Sequence, residues 1–185
     1  MTYRRFLTGV AALVLIFGVT GSAVAAGGKA PKRATIKAKQ KVVMKPNRYV
    51  LDGLRWNKDV YRVRHNGTLH VVNAAASEGP HTFTVVKKKD LPKNAKEAFN
   101  CKICNELGAA HGADPNSDAP PTFQYLENGV GQHTPPDVDR PGDSGVTGSG
   151  QQGESIDLKV TAPKGKVLHF MCLIHPWMQA RVRVG

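Results

Sequence analysis

From Asp59 onward the chain alternates between apolar and polar positions. In "DVYRVRHNGTLHVVN", residues 59–73, Val60, Arg62 and Arg64 alternate with Tyr61 and Val63. Asn66 and Gly67 interrupt the run, and it resumes through Leu69, Val71 and Val72. A period of two marks a strand with one buried face, and Asn-Gly between two such runs is a turn signal. "HTFTVVKKK" sets Phe83 and Val85 against Thr82 and Thr84, predicting a further strand. Near the end come "SIDLKVTA" from Ser155, "KVLHFMC" from Lys166 and "ARVRVG" from Ala180, with "PKG" as an intervening turn. Nothing has the pattern of a long helix. Several short strands with turn signals on both flanks predict an all-β fold, an antiparallel sandwich rather than an α/β arrangement.

The middle of the chain breaks this pattern. Residues 91–153 are rich in Pro, Gly, Asp, Asn and Ser, and "PPDVDRPGDSGVTGSGQQG" is close to low complexity. "KNAKEAFNCKICNELGAAHG" has the composition for one or two helical turns. The expectation is one domain over 49–185, with 91–153 as a long loop-rich insertion between two of its strands, since a loop of that length is normally functional or disordered.

Residues 1–26 have the three zones of an export signal: Tyr3, Arg4 and Arg5, the apolar run "LTGVAALVLIFGV", and "SAVAA" offering cleavage after Ala25 or Ala26. The apolar run is short of the roughly 20 residues that a spanning helix needs, which favours a cleaved signal over an uncleaved anchor. A periplasmic or secreted protein is expected. The net charge of +12 is unevenly spread. Eight basic residues and no acid lie between Lys29 and Arg48, whereas from Tyr49 onward 16 Lys and Arg face 14 Asp and Glu. Residues 27–48 therefore read as a basic, flexible segment, either simply solvated or suited to an anionic surface or an acidic partner. Nucleic acid fits poorly, because the chain is exported and the basic run has no interleaved aromatics.

An oxidising compartment makes the three cysteines informative. Cys101 and Cys104 form a C-x2-C pair, read as a local disulfide, a redox dithiol, or half of a metal site completed by His111 and His133, with the disulfide favoured. Cys172 is left over, and an odd cysteine in an exported chain is a reactive thiol, an intermolecular bridge or a metal ligand. It opens "CLIHPWM", in which Cys172, His175 and Met178 have the spacing C-x2-H-x2-M. Cys172 lies two residues beyond Phe170, so both face the interior. Pro176 limits how the loop presents its neighbours. "GPHTF" supplies a fourth donor, His81, after a Gly-Pro turn. Taken singly, such a Cys or Met is core filler. Together, thiolate, thioether and two imidazoles suit copper. His65, His70, His111, His133 and His169 lack partners at such spacing and read as surface or satisfied residues.

This pattern resembles the cupredoxins, the small blue copper proteins, and is most similar to amicyanin and its short-loop, plastocyanin-like relatives. "PHTF" and "CLIHPWM" carry the resemblance, with the "VVN" that ends at Asn73. It covers roughly residues 40–89 and 155–185 and implies a cupredoxin-like Greek-key β-sandwich. It also implies one type 1 copper ion held by His81, Cys172, His175 and Met178. The family usually has Asn directly after the first His, fastening the two ligand loops; here Thr82 stands there, and its hydroxyl is expected to make a weaker link. The expected function is one-electron transfer between redox partners that dock near His175, Pro176 and Trp177. The alternative is a donor or store that hands copper on. Copper enzymes of this family place additional His ligands beside the Cys, whereas Met171 and Leu173 flank Cys172, so no enzymatic activity is expected.

Overall fold

The computed structural model describes residues 28–185 except 75–78, 115, 118, 120 and 133. The expected export signal therefore lies outside the described residues, as does His133. In chain order the elements are β1 (Arg33–Lys39), β2 (Val42–Lys45), β3 (Tyr49–Asp52), β4 (Arg55–Trp56), β5 (Val60–Val63), β6 (Gly67–Val72) and β7 (Thr82–Val86). Then follow α1 (Ala95–Phe99), α2 (Lys102–Ala110), β8 (Tyr125–Glu127), β9 (Val130–Gln132), β10 (Asp137–Val138) and β11 (Ser144–Val146). The chain closes with β12 (Ser155–Val160), β13 (Val167–Met171) and β14 (Gln179–Val184).

The fold is an all-β sandwich. One sheet has the order β10-β12-β6-β1-β4 and the other β5-β14-β13-β7-β11-β8-β9, while β2 and β3 form a separate two-stranded ribbon. Inward residues of both sheets share one core, including Ile36, Leu69 and Leu158 from the first and Phe83, Phe170 and Val182 from the second. Phe83 and Phe170 stack at its centre with ring centroids 4.1 Å apart, and Trp56 meets Phe83 edge-on at 5.1 Å. The sandwich is not purely antiparallel. β1 runs parallel to β6, β5 to β14 and β10 to β12.

Two expectations need correction, and a third gains detail. Residues 27–48 are not simply a flexible tail, because Arg33–Lys39 is a strand paired with β6 from Arg33↔Thr68 to Lys37↔Val72. Its own alternation explains this: Ala34, Ile36 and Ala38 point into the core while Arg33, Thr35, Lys37 and Lys39 face water. The domain accordingly begins before Tyr49. The expected Asn-Gly turn is present, with Asn66 at φ 58°, and it carries the chain from one sheet to the other, since β5 and β6 lie in different sheets. Last, residues 91–153 are built into the sandwich. β11 pairs with β7, carrying β8 and β9 with it, and β10 extends the other sheet. Asp143, 1% exposed, organises the Pro- and Gly-rich part by accepting the N–H groups of Asn128, Asp139 and Arg140.

The same segment covers the outer face of the larger sheet. Cys101, Cys104 and Leu107 pack with Val86, Leu126, Met171 and Leu173 in a second apolar cluster. This is why β7 is buried at every position: Phe83 and Val85 enter the core, while Thr82, Thr84 and Val86 lie under the inserted segment. Cys101 and Cys104 form a disulfide closing a three-residue separation. Replacing both by Ala is expected to lower stability by about 2 kcal/mol, the chain-entropy value for so small a ring. A lower urea midpoint with unchanged slope would report it.

Candidate metal centre

His81 enters β7 directly after Gly79-Pro80 and is fully buried. Two hydrogen bonds with Thr147 fix its backbone: the His81 N–H donates to the Thr147 hydroxyl at 3.0 Å, and the Thr147 N–H donates to the His81 carbonyl at 2.9 Å. Asn73, buried at the end of the "VVN" strand, donates its side-chain amide to the Gly79 carbonyl and so steadies the turn before it.

Cys172 follows β13 on the adjacent strand, and the loop from it to Met178 folds back on itself. The Cys172 N–H donates to the Met178 carbonyl at 3.0 Å and the Met178 N–H to the His175 carbonyl at 2.8 Å. From the opposite sheet the Trp56 indole N–H also reaches the Met178 carbonyl, at 3.1 Å. The two ligand segments are joined through Thr82. The Leu173 N–H donates to its hydroxyl oxygen at 2.7 Å, and its own N–H donates to the Cys172 sulfur at 3.4 Å. The link expected of the residue after His81 is present.

The result is convergence. One donor atom each from His81, Cys172 and His175 all lie within 4.8 Å of one another. The Cys172 sulfur is 3.7 Å from His175 Nδ1, and the two imidazole rings are 5.2 Å apart between centroids. Met178, the fourth expected donor, is fully buried at the end of the same loop. Neither ring nitrogen of His81 has a hydrogen-bond partner, although both are buried. Leaving such polar atoms unsatisfied costs roughly 1 to 3 kcal/mol each unless something fills the gap. Burial, and then the neighbouring His175, pushes the His81 pKa down to about 4, so at neutral pH the ring is uncharged and one of its nitrogens offers a lone pair. Burial pushes the Cys172 thiol up, against N–H groups of Thr82, His175 and Ile174 and the Thr82 hydroxyl, all of which favour the thiolate. A cation between these groups would satisfy the imidazole and hold the sulfur deprotonated.

The donor set fits one copper ion. Two imidazoles and a buried cysteine sulfur are nitrogen and sulfur donors that would suit copper in both of its common oxidation states.

No family model and no curated protein matches the chain. Among solved structures it is similar to the sodium-dithionite-reduced auracyanin of Roseiflexus castenholzii, at 17% identity and TM-score 0.45, over 84% of this chain and 98% of that one. It is similar also to auracyanin A, a "blue" copper protein of Chloroflexus aurantiacus, at 19% identity and TM-score 0.43, over 84% and 99%. A third is a purple cupredoxin of Nitrosopumilus maritimus, at 12% and 0.39, over 82% and 99%. At these values the donor set carries the copper assignment.

The other cysteines supply no metal site: Cys101 and Cys104 are bonded to each other. His111, offered as their partner, is buried with both ring nitrogens hydrogen-bonded to protein, Nδ1 to the Phe123 carbonyl and Nε2 to the Ser144 hydroxyl. Sequence spacing gave no hint of that pairing, because the three residues meet only through the fold.

Proposed function

We propose that this chain is an exported type 1 copper protein of the cupredoxin kind that carries single electrons between redox partners. The observation that carries the reading is the fully buried His81, with two unpartnered ring nitrogens, converging with Cys172 and His175. The loop spacing C-x2-H-x2-M is that of the amicyanin-like short loops. Met178, buried at the end of the same loop, would add a weakly donating thioether to the set. Copper supplies reversible one-electron exchange.

The chain's own residues do the rest. Trp56 and Thr82 hold the ligand loop to both sheets, so little main chain has to move as charge changes. The apolar packing of Cys172 keeps water from the thiolate. Partners dock beside His175, where Ile174 is 48% and Trp177 43% exposed and Pro176 stiffens the loop. An apolar, exposed edge at one imidazole gives an electron a short path to a partner. The cations of residues 29–48 face an anionic surface or an acidic partner.

Titrating the metal-free protein with copper(II) and recording its visible and paramagnetic resonance spectra tests the reading. An intense thiolate-to-copper band with reversible electrochemistry is expected. Ready loss of the ion to a mild chelator would instead favour copper delivery over electron transfer. Met178→Gln is expected to lower the reduction potential, since a harder amide oxygen favours copper(II). An unchanged potential removes Met178 from the donor set.

A further inference from the structure

On the outer face of the larger sheet the inserted segment packs over β7 and β13, and three arginines stand exposed on β14 and β5 beside it. Arg62, Arg181 and Arg183 each lie between two buried neighbours and face outward. The parallel register sets Arg62 directly beside Arg183. Like charges side by side on neighbouring strands are destabilising, so folding alone gives no reason for this row. The ion pairs of the described residues involve none of these arginines. Arg62 donates to the Gly28 carbonyl at 3.4 Å, which leaves its charge uncompensated. A cation on β5 guards an edge strand against stray pairing. That does not account for two more on β14, which lies one strand in from the edge.

Where the row approaches the ligand loop the surface becomes concave. A cleft of about 470 Å³ is lined by Arg181, Lys88, His169, Asp59, Leu91 and Trp177. Asp59 pairs with neither cation. His169 Nδ1 is buried without a hydrogen-bond partner, and burial, then the charges of Lys88 and Arg181, hold its pKa below the ordinary value. An anion in the cleft would relieve that excess of positive charge. Trp177, on the cleft wall, has its ring 5.5 Å from that of His175.

We propose that the arginine row and this cleft are the docking surface for a redox partner with a carboxylate-rich face, one acidic side chain of which enters the cleft beside Trp177. The partner's redox role rests on the carrier reading above; its acidity rests on charge and shape. A guanidinium fork takes a carboxylate through two N–H donors. A side-chain carboxylate reaches into a cleft, whereas the plane of lipid headgroups stays outside it, so the occupant is a protein. Seated there, the partner touches Trp177 and lies one side chain from a copper ligand. Charge attraction of this kind speeds encounter and fades with salt.

The probe is a hexaglutamate peptide, titrated at low salt into the full chain with copper(I) or without metal and followed by NMR. The signals of His169, Arg181 and Trp177 are expected to move, and the His169 pKa to rise as a carboxylate settles beside it. Affinity read from the His169 signal should fall roughly tenfold in Arg181→Gln with Arg183→Gln, the sum of two exposed ion pairs. Lys37→Gln with Lys39→Gln removes equal charge from the other sheet and should leave that affinity within about twofold. Arg183→Gln alone serves if the arginine pair does not fold. Equal weakening by the two double variants overturns the proposal, as does a His169 pKa that the peptide leaves unchanged. Vesicles of phosphatidylcholine with phosphatidylglycerol that move the His169 signal more than the peptide does would give the surface to lipid and overturn it too. If the chain gives no copper chromophore, the carrier reading fails, and peptide binding without metal still decides the docking surface.

Discussion

Copper(II) added to the Cys172→Ala chain is expected to give no intense visible band, and to leave the ion within reach of a mild chelator. The band requires a thiolate orbital overlapping the metal, and Cys172 is the free cysteine of the chain, since Cys101 and Cys104 are bonded together. The substitution leaves two imidazoles and a small apolar gap where the sulfur stood. Its effect on folding should be slight beside its effect on copper. Removing one small buried group costs far less than the 2 to 5 kcal/mol of a large aliphatic truncation. Thermal melts without metal would verify an intact fold, and absorbance with copper(II) would read the site. A band of undiminished intensity in Cys172→Ala would place the chromophore elsewhere.

Phe170→Ala is expected to have the largest effect on stability, about 3 to 5 kcal/mol. Phe170 is fully buried and stacks on Phe83 at the centre of the core. It sits on β13 two residues before Cys172, so the void would open beneath the sulfur-bearing strand. Urea unfolding of the metal-free chain measures the loss. A change below about 1 kcal/mol would mean that the neighbouring side chains collapse into the gap at almost no cost. Copper should also dissociate faster, because the strand that presents Cys172 loses its support.

Much of the metal centre was legible in the sequence because its chemistry is written locally. Three of the four proposed donors lie within seven residues, and His81 follows a Gly-Pro turn at the mouth of a strand. His81, Cys172 and His175 duly converge. The strands read from alternation alone, such as "SIDLKVTA" and "ARVRVG", were legible for the same reason, since one face of each is buried. β1 was hidden by its charge. "RATIKAK" alternates as well as any of them, but three of its four outward positions are cations and two of its inward residues are alanines, so a count of charges masks the period. The middle segment was hidden differently. Its turn-forming composition is real, but Asp143 gathers three backbone N–H groups that no local pattern announces. The contact between His111 and Ser144 joins residues 33 positions apart, and it exists only because the fold brings β11 beneath the inserted helix.

The short loop between Cys172 and Met178 is tied down through main-chain atoms at its ends and by Trp56 from across the core. Leu173 contributes its amide to this fastening, and Ile174 and Trp177 turn their side chains to the solvent. The segment thus behaves as a replaceable cartridge. Exchanging the outward residues Ile174 and Trp177 would redraw the exposed surface of the loop while the clamps beneath it stay closed.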